Sequence, residues 1–322
     1  MSPMIIAAED FLNDELKSRI EATAARLGFS VRFYESGEEV GDEIADAEIV
    51  FGSGFNNTLR LAKSLKWFCC SFAGVEPYLK EEAWPHPDCL FTNSSGAYGV
   101  TISEHIVMVL LMMLRRMPEY QQEMARHHWP VFEPIRSVRG LRVTILGTGD
   151  IGTHTARSLS AMGAEVRGVR RDPSKASDPA FREMWATDDL DRLLPDTETL
   201  IMALPSTAST RGILSRERIA LLPEGAYVIN VGRGTAIDQD ALIDALNTGH
   251  LAGAGLDVMV PEPLPDCHPL WNAKNILLTP HCSGNTALDY SKDRVVEMFL
   301  EDLEHYAKGI PLLHTVDRRI GY

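Results

Sequence analysis

The sequence lacks any apolar run long enough to cross a membrane. Its longest run, Ile106–Leu114, has nine residues between His105 and Arg115, whereas a spanning helix needs roughly 20. The N-terminal segment has no basic start and turns acidic at Glu9, which is unlike a secretory signal. We therefore expect a cytoplasmic protein without membrane contacts.

Basic residues are also scarce, because 31 of them face 45 acidic residues and leave a net charge of −14. An acidic surface repels phosphate backbones, so we expect no nucleic-acid partner. The five cysteines form no pair with metal-finger spacing, and we interpret them as reduced thiols. Cys267-His268 and His281-Cys282 raise zinc as an alternative. Neighbouring residues of an extended chain point to opposite faces, however, so we predict no metal.

Short apolar runs alternate with helical stretches through most of the 322 residues. The first series predicts a helix over Phe11–Leu27, ended by Gly28, and strands at Met4–Ala8, Val31–Tyr34, Glu48–Phe51 and Trp67–Cys70. This order predicts an α/β fold whose parallel sheet carries helices on both faces.

A turn-rich segment, Asn93–Gly99, precedes a long predicted helix, Thr101–Ala125, that is interrupted near Pro118. A second αβ series follows and predicts strands at Arg142–Leu146, Glu165–Val169, Thr199–Ala203, Ala226–Asn230, Gly253–Leu256 and Ile276–Leu278. The last helical stretch, Ala287–Ala307, could return to the first domain.

A glycine-rich turn directly follows the predicted strand Arg142–Leu146. It has the pattern G-x-G-x-x-G and consists of Gly147, Thr148, Gly149, Asp150, Ile151 and Gly152. In a strand–turn–helix context the first glycine permits the tight turn and the second lets a pyrophosphate approach the backbone. The third lets helix and strand pack closely, and the helix N-terminus offers N–H donors. The sequence therefore predicts a dinucleotide site.

The residues at the end of the next predicted strand indicate which dinucleotide binds. NAD-binding domains commonly carry an acid there, about 20 residues beyond the motif. Here Arg170 and Arg171 follow Val169, and Asp172 comes only later in the loop. Because guanidinium groups can bind a 2′-phosphate bidentately, we predict a preference for NADP(H), with NAD(H) as the alternative.

Three charged residues follow predicted strands in the C-terminal half, namely Arg233, Glu262 and His281. Ligands of open α/β sheets bind at the carboxyl ends of the strands, so we expect all three on the ligand side. Reduction of a 2-keto acid needs a cation for the carboxylate and a proton donor for the developing alkoxide. Arg233 suits the first role and His281 the second. Glu262, if adjacent, would favour the imidazolium and orient the ring.

These motifs, in this order, resemble those of the D-isomer-specific 2-hydroxyacid dehydrogenase family. The resemblance spans nearly the whole chain, and its matching segments are Gly147–Gly152, Asn230–Gly234, Gly255–Leu264 and Thr279–Gly284. It implies an NAD(P)-dependent oxidoreductase with the catalytic trio Arg233, Glu262 and His281. It also implies that Asp257 meets the nicotinamide carboxamide. The substrate carboxylate would meet the backbone of Ala73, Gly74 and Val75, and also Arg233.

The resemblance also implies two Rossmann-like or flavodoxin-like domains with parallel sheets. We predict a substrate domain at 1–97 plus 287–322 and a dinucleotide-binding domain, inserted into it, at 98–286. A homodimer built largely through the inserted domain is implied as well. The predicted cofactor site further includes Leu204, Pro205, Val231 and Gly284.

Within the family, the chain is most similar to the NADP-dependent glyoxylate/hydroxypyruvate reductase-like branch. One reason is the arginine pair, and another is Trp129, because such enzymes can lend a tryptophan to the partner's substrate pocket. Cys282-Ser283 and Glu76-Pro77 depart from the family pattern near the substrate. A larger aromatic or branched 2-keto acid therefore stays an alternative substrate.

Two other functions remain open from the sequence. One is a nucleotide-sensing, corepressor-like protein without turnover, since such relatives can keep the trio. The other is formate dehydrogenase, which shares the arginine and histidine but lacks the glutamate partner, so Glu262 argues against it.

Overall fold

The computed structural model describes residues 2–321. The chain divides into two compact units, the first formed by the chain up to Tyr98 together with the segment from Asn285 onwards. The second unit is Gly99–Gly284. Each unit contains one parallel sheet, of five strands in the first and seven in the second. The predicted α/β class with parallel sheets is therefore confirmed.

The first unit is a sheet of strand order β2-β1-β3-β4-β5. Its strands are β1 (Met4–Ala8), β2 (Ser30–Tyr34), β3 (Ala47–Gly52), β4 (Trp67–Cys70) and β5 (Leu90–Asn93). Helix α1 (Asp14–Leu27) starts three residues later than predicted, because Asn13 caps it and accepts the N–H of Leu16 at 2.9 Å. The helix ends as predicted at Gly28, whose φ of 87° suits glycine.

Helix α8 (Asp289–Ala307) belongs to this first unit and packs on α1. Arg19 of α1 donates to Asp293 of α8 at 2.6 Å. The apolar pattern predicts no strand at β5, since half of its four residues are polar. These polar residues are nevertheless buried, and Thr92 accepts the indole N–H of Trp67 at 2.9 Å.

The second unit is a sheet of strand order β12-β11-β10-β9-β6-β7-β8. Its strands are β6 (Arg142–Leu146), β7 (Glu165–Arg170), β8 (Glu183–Ala186), β9 (Thr199–Met202), β10 (Ala226–Asn230), β11 (Leu251–Leu256) and β12 (Ile276–Leu278). Its helices are α2 (Gly99–Leu114), α3 (Met117–Ala125), α4 (Asp150–Ala161), α5 (Leu190–Leu193), α6 (Arg216–Leu221) and α7 (Gln239–Thr248). Strand β8 is the one strand of this unit that the sequence pattern does not predict.

The predicted helix interruption near Pro118 is present and lies at Arg116, between α2 and α3. Arg116 takes the left-handed conformation with φ of 58°, and its guanidinium donates twice to Glu119 at 2.6 Å. Pro118 lies in the first turn of α3, where a missing N–H costs no helical hydrogen bond. The left-handed conformation of Arg116, the residue before the first turn of α3, therefore interrupts the helix.

The apolar run 106–114 lies in α2, which buries Ile106, Val109 and Leu110 against the second unit. Among residues 2–321, no helix is long and apolar enough to span a membrane. The five cysteines are free thiols. Cys69 and Cys70 are buried in β4, and burial raises the pKa of Cys70 to about 12.

Candidate active site

The glycine-rich turn between β6 and α4 has the geometry of an anion site. Gly147 has φ of 94°, and a Cβ there would lie 2.5 Å from the carbonyl oxygen of Ala203. A Cβ at Gly152 would lie 2.0 Å from the carbonyl oxygen of Gly147. A Cβ at Gly149, in contrast, would meet nothing within 4 Å. Gly149 precedes the first turn of α4 without a side-chain cap, so the turn fits a pyrophosphate bound by backbone N–H groups.

The side chains within this turn face different parts of the second unit. Asp150 points at the start of α2, where its carboxylate oxygens lie 2.5 Å from the Cβ position of Gly99. A carboxylate there suits the positive end of the α2 helix dipole. The methyl group of Thr148 lies 2.7 Å from the Cβ position of Gly168 in β7. A cofactor contact of these two residues would therefore involve their backbone, and that contact stays a prediction.

Arg170 is the last residue of β7, at the place predicted for recognition of the adenosine ribose. Its Nη2 donates to the carbonyl oxygens of Lys175 and Ala176, the latter at 3.2 Å, and so holds the loop after β7. Its Nε is buried and, within residues 2–321, has no hydrogen-bond partner. An unpaired buried donor is costly, so it marks a position that an anionic ligand would satisfy. Arg171, the next residue, is exposed.

Arg233 lies directly beyond β10 in a segment with very little free space. A Cβ at Gly232 would lie 2.6 Å from the carbonyl oxygen of Leu204, and one at Gly234 would lie 2.3 Å from the carbonyl group of Met259. The side chain of Asn230 accepts the N–H of Gly232 at 3.0 Å and donates to the carbonyl oxygen of Arg233 at 2.9 Å. The backbone of the arginine is therefore fixed on both sides.

The other predicted cofactor residues lie around the same strand ends. Val231 is buried and donates its N–H to Met202 at the end of β9. Pro205 accepts the hydroxyl of Thr210 at 2.7 Å, and Gly284 ends the second unit. Their contact with a cofactor stays a prediction.

Glu262 and His281 form the predicted pair. Glu262 Oε2 lies 2.8 Å from His281 Nδ1, and Glu262 Oε1 accepts the N–H of Met259 at 2.8 Å. The side chain of His281 is about half exposed, at 50%, and that of Glu262 is 35% exposed. A carboxylate at Nδ1 fixes the ring orientation and places a proton on that nitrogen, which leaves Nε2 for a substrate.

Asp257 holds the loop that carries His281. Asp257 is buried, with 1% of the residue exposed. Oδ1 accepts the hydroxyl of Thr279 at 2.6 Å and the N–H of Cys282 at 3.0 Å. Oδ2 accepts the N–H of Ser283 at 3.0 Å and its hydroxyl at 2.5 Å. Burial opposes ionisation, but the hydrogen bonds from Ser283, Thr279 and Cys282 outweigh it and keep the pKa of Asp257 below its usual range.

The sequence pattern does not predict this function of Asp257, although Thr279 and Ser283 lie in the family-like segment Thr279–Gly284. All four acceptor positions of the carboxylate face donors of the 279–283 loop. Its predicted contact with the nicotinamide carboxamide stays a prediction.

The backbone of His281 is strained. Its φ is 51°, in the left-handed region that costs a non-glycine residue roughly 1–3 kcal/mol. Hydrogen bonds of its N–H stabilise this conformation. The nitrogen lies 2.9 Å from the carbonyl oxygen of Asp257 and 3.0 Å from that of Thr279. Such strained residues concentrate at functional sites, where the surrounding contacts determine the conformation.

His105 of α2 lies behind this loop, and the sequence offers no motif that would reveal it. Its Nε2 is 3.3 Å from the hydroxyl of Thr279. Because that hydroxyl donates its proton to Asp257, His105 must be the donor to Thr279. Burial lowers the pKa of His105 although Asp257 partly opposes the shift, so the neutral Nε2–H form is favoured.

The predicted substrate loop lies in the first unit, beyond the end of β4. Asn93 donates its side-chain N–H to the carbonyl oxygen of Ala73 at 2.8 Å, and Val75 is buried. Ser71, at the start of this loop, donates to the buried carboxyl group of Glu9. Burial raises the pKa of Glu9, although Ser71 and Ser53 lower it in part. That Ala73, Gly74 and Val75 bind a carboxylate stays a prediction.

Neither of the two pairs considered for zinc, Cys267-His268 and His281-Cys282, belongs to a cluster of potential metal ligands among the described residues. Within residues 2–321, no three His, Cys, Asp or Glu side chains are grouped so that they could hold a metal ion. His268 uses Nδ1 to accept the N–H of Leu270 at 3.2 Å, as the cap of a short 3₁₀ helix.

Comparison with known proteins identifies the family. Residues 107–283 match the family described as "D-isomer specific 2-hydroxyacid dehydrogenase, NAD binding domain", which is more than half of the chain. The chain belongs to the D-isomer specific 2-hydroxyacid dehydrogenase family. It is therefore an NAD(P)-dependent oxidoreductase, as predicted, and its second unit contains the NAD-binding domain.

Curated relatives agree over most of the chain. A glyoxylate/hydroxypyruvate reductase A from Enterobacter sp. (strain 638) is 31% identical over 307 residues, covering 93% of this chain and 94% of the relative. One of the same name from Salmonella newport (strain SL254) is 34% identical and covers 78% of this chain and 80% of the relative. These names agree with the predicted reductase-like branch.

Solved structures are similar over the full length. A D-isomer specific 2-hydroxyacid dehydrogenase from Xanthobacter autotrophicus Py2, in complex with NADPH and MES, has a TM-score of 0.84 at 29% identity, and both chains are fully covered. An NADPH-dependent glyoxylate/hydroxypyruvate reductase from Sinorhizobium meliloti, in complex with NADP and sulfate, has a TM-score of 0.83 at 27% identity, again with both chains fully covered. Both relatives contain the phosphorylated cofactor that the arginine pair predicts.

Proposed function

We propose that this family member reduces a small 2-keto acid, of the glyoxylate or hydroxypyruvate kind, to the D-2-hydroxy acid with NADPH. The observation that carries the proposal is the 2.8 Å hydrogen bond between Glu262 Oε2 and His281 Nδ1. It gives the histidine a carboxylate partner that orients the ring for general-acid catalysis. The names of the curated relatives support the substrate class.

His281 is the proton donor of the proposed reaction. With Nδ1 bonded to Glu262, the protonated ring presents Nε2–H, which donates to the carbonyl oxygen as that oxygen becomes an alkoxide. The adjacent carboxylate keeps the ring oriented before and after the transfer. Arg233 binds the substrate carboxylate and polarises the carbonyl group. When bound, the reduced nicotinamide supplies the hydride.

NADP(H) is the proposed cofactor. The glycine turn fits the pyrophosphate, because Gly149 leaves open space beside the uncapped N-terminus of α4. The buried, unpaired Nε of Arg170 fits an additional anion at the ribose end. The two solved relatives named above were determined with NADPH or NADP, which supports the same preference.

We further propose that the protein is a homodimer formed through the second unit. Support comes from the exposed apolar side chains of α3 and the segment after it, which are Met117, Met124, Trp129, Val131 and Ile135. Trp129 is 88% exposed, which is costly for a side chain of that size unless a partner covers it.

The test is NADPH oxidation at 340 nm over a panel of keto acids, each repeated with NADH. The panel contains glyoxylate, hydroxypyruvate, pyruvate, phenylpyruvate and 2-ketoisocaproate. We expect glyoxylate and hydroxypyruvate to rank first, whereas faster turnover of the aromatic or branched acids would overturn the proposed substrate class. Measurable NADPH binding without turnover of any acid would instead support a sensing protein.

A variant tests the role of the histidine. His281→Ala should lower kcat about 100-fold or more, because general-acid catalysis contributes roughly 10²–10⁴. NADPH binding, followed by fluorescence, is the control and should stay unchanged. A kcat near that of the parent would remove His281 from the proton-donor role.

A further inference from the structure

The side chain of Gln239, the first residue of α7, binds the backbone of the loop that carries Glu262. Its Nε2 donates to the carbonyl oxygen of Val260 at 2.6 Å, and its Oε1 accepts the N–H of the same residue at 2.8 Å. One amide side chain thus satisfies both polar groups of one peptide residue. Two short hydrogen bonds in a ring fix the orientation as well as the position of Val260.

Packing alone does not hold this loop. Residues 260–263 are exposed, and the next stretch, 264–269, is exposed or only partly buried. A loop with so little buried apolar surface depends on its hydrogen bonds for a single conformation. Gln239 supplies two of them at the position where the loop leaves the buried Met259.

The same loop position leads directly to the proposed catalytic pair. Met259, the neighbour of Val260, donates its N–H to Glu262 Oε1 at 2.8 Å. The other carboxylate oxygen of Glu262 meets His281 Nδ1 at 2.8 Å. A displacement of the 259–260 backbone would therefore move the carboxylate that orients the histidine.

Gln239 also connects this pair to Arg233. Gly234, the residue after the arginine, approaches Met259 so closely that a Cβ would lie 2.3 Å from its carbonyl group. The segment 233–239 therefore contacts the 259–260 backbone at two places. Gly234 approaches Met259 through its backbone, and Gln239 binds Val260 through its side-chain amide. The backbone segments that carry Arg233 and Glu262 are thus fixed against each other.

We propose that Gln239 is a positioning residue for the reaction, which acts through Glu262 and sets its place relative to His281 and Arg233. This inference rests on the proposed function of the Glu262–His281 pair. Gln239 itself touches neither substrate nor cofactor. Its effect should therefore appear in turnover and leave nucleotide binding unchanged.

The test is a double-mutant cycle between Gln239→Met and Glu262→Gln. Methionine keeps the length of the side chain but makes neither hydrogen bond. We expect Gln239→Met to lower kcat/KM for glyoxylate roughly tenfold, since small displacements of catalytic groups are costly, and to leave KM for NADPH within about twofold. In the Glu262→Gln background the same substitution should change kcat/KM less than about twofold, because the group it positions is already lost.

A conservative variant and the split between kinetic constants distinguish positioning from a general loss of structure. Gln239→Met should lower kcat and leave KM for NADPH within about twofold, whereas a loss of structure would change both. Gln239→Glu, which keeps an acceptor for the Val260 N–H, should lie between the parent and Gln239→Met. Glu21→Met, which places the same residue at an exposed position of α1, is the control and should leave the rate unchanged.

Three results would distinguish a failure of the inference about Gln239 from a failure of the proposed function. Equal losses from Gln239→Met in the parent and in Glu262→Gln would overturn the inference, because Gln239 would then act independently of Glu262. A parent-like rate in Gln239→Met, with a clear defect in Glu262→Gln, would overturn the inference and leave the proposed function intact. Normal turnover in Glu262→Gln and His281→Ala would instead overturn the proposed function.

Discussion

The conformation of the loop that carries His281 depends on one buried carboxylate, and Asp257→Asn tests this dependence. Asparagine keeps the shape of the side chain but offers one acceptor oxygen instead of two. The two oxygens of Asp257 accept the backbone N–H groups of Cys282 and Ser283, one each, at 3.0 Å. Whichever way the amide is turned, its NH₂ group faces one of these donors.

The magnitude follows from that lost acceptor. A hydrogen bond to a charged group contributes about 1.5–3 kcal/mol, and 1.4 kcal/mol corresponds to a factor of ten. We therefore expect one of the two amides to exchange its hydrogen roughly 10- to 100-fold faster in Asp257→Asn. Burying the neutral amide costs less free energy than burying a charge. We therefore expect the loss of stability to be concentrated in the loop that carries His281.

The assay is hydrogen–deuterium exchange over residues 279–284, measured on the whole protein. Asp244→Asn is the matched control, because it removes a carboxylate from an exposed ion pair with Arg216 at 2.8 Å, and such pairs contribute only about 0.2–1 kcal/mol. It should leave the exchange of the loop unchanged. Exchange at both Cys282 and Ser283 within twofold of the parent in Asp257→Asn would refute the reasoning.

The pH dependence gives the same prediction a second test. The pKa of Asp257 lies below its usual range because hydrogen bonds outweigh the effect of burial. A depressed carboxyl pKa contributes stability above the unfolded-state value, about 3.9, and this stability is lost as the pH falls through the folded-state value. Protection of the loop should therefore stay constant near neutrality in the parent and fall only in strong acid. Asp257→Asn should show no such fall.

Two further predictions concern the cofactor and the first unit. Arg170→Ala should raise KM for NADPH roughly 10- to 100-fold and leave KM for NADH nearly unchanged, since a charge-assisted hydrogen bond contributes about 1.5–3 kcal/mol. Arg182→Ala, which removes an exposed ion pair with Glu165 at 2.7 Å, is the control, and equal effects on both cofactors would contradict the 2′-phosphate assignment. Burial raises the pKa of Glu9, so the folded state keeps a proton that the unfolded state loses, and the free energy of unfolding should fall as the pH rises above about 4.3. Glu9→Gln should flatten this fall in urea unfolding, and parallel pH curves for the two proteins would contradict it.

The sequence predicts the site residues that follow from strand order. Arg233, Glu262 and His281 each come shortly after a strand of one parallel sheet, and parallel strands end at the same edge. The glycine turn is equally local, because each of its glycines meets a nearby backbone atom or leaves space for a ligand. Short-range patterns of this kind can be read without knowing how distant segments pack.

The contacts that support the site could not be predicted from such patterns. The hydrogen bonds of Gln239 to Val260 and of His105 to Thr279 join segments far apart in the chain. No periodicity or spacing relates such residues, since only the packed fold brings them together. Strand β8 escapes prediction for another reason, because it has only four residues and none of them is fully buried.

The close approach of α2 to β11 limits how this family member can vary over evolution. A Cβ at Gly255 would lie 2.3 Å from Cγ1 of Val109, and one at Gly253 would lie 3.2 Å from the sulfur of Met113. The helix therefore contacts this strand at two glycines, Gly253 and Gly255, where the strand has no side chain. A homologue that gains a methyl group at position 255 should have lost carbon at position 109, so these two positions are expected to change together during descent.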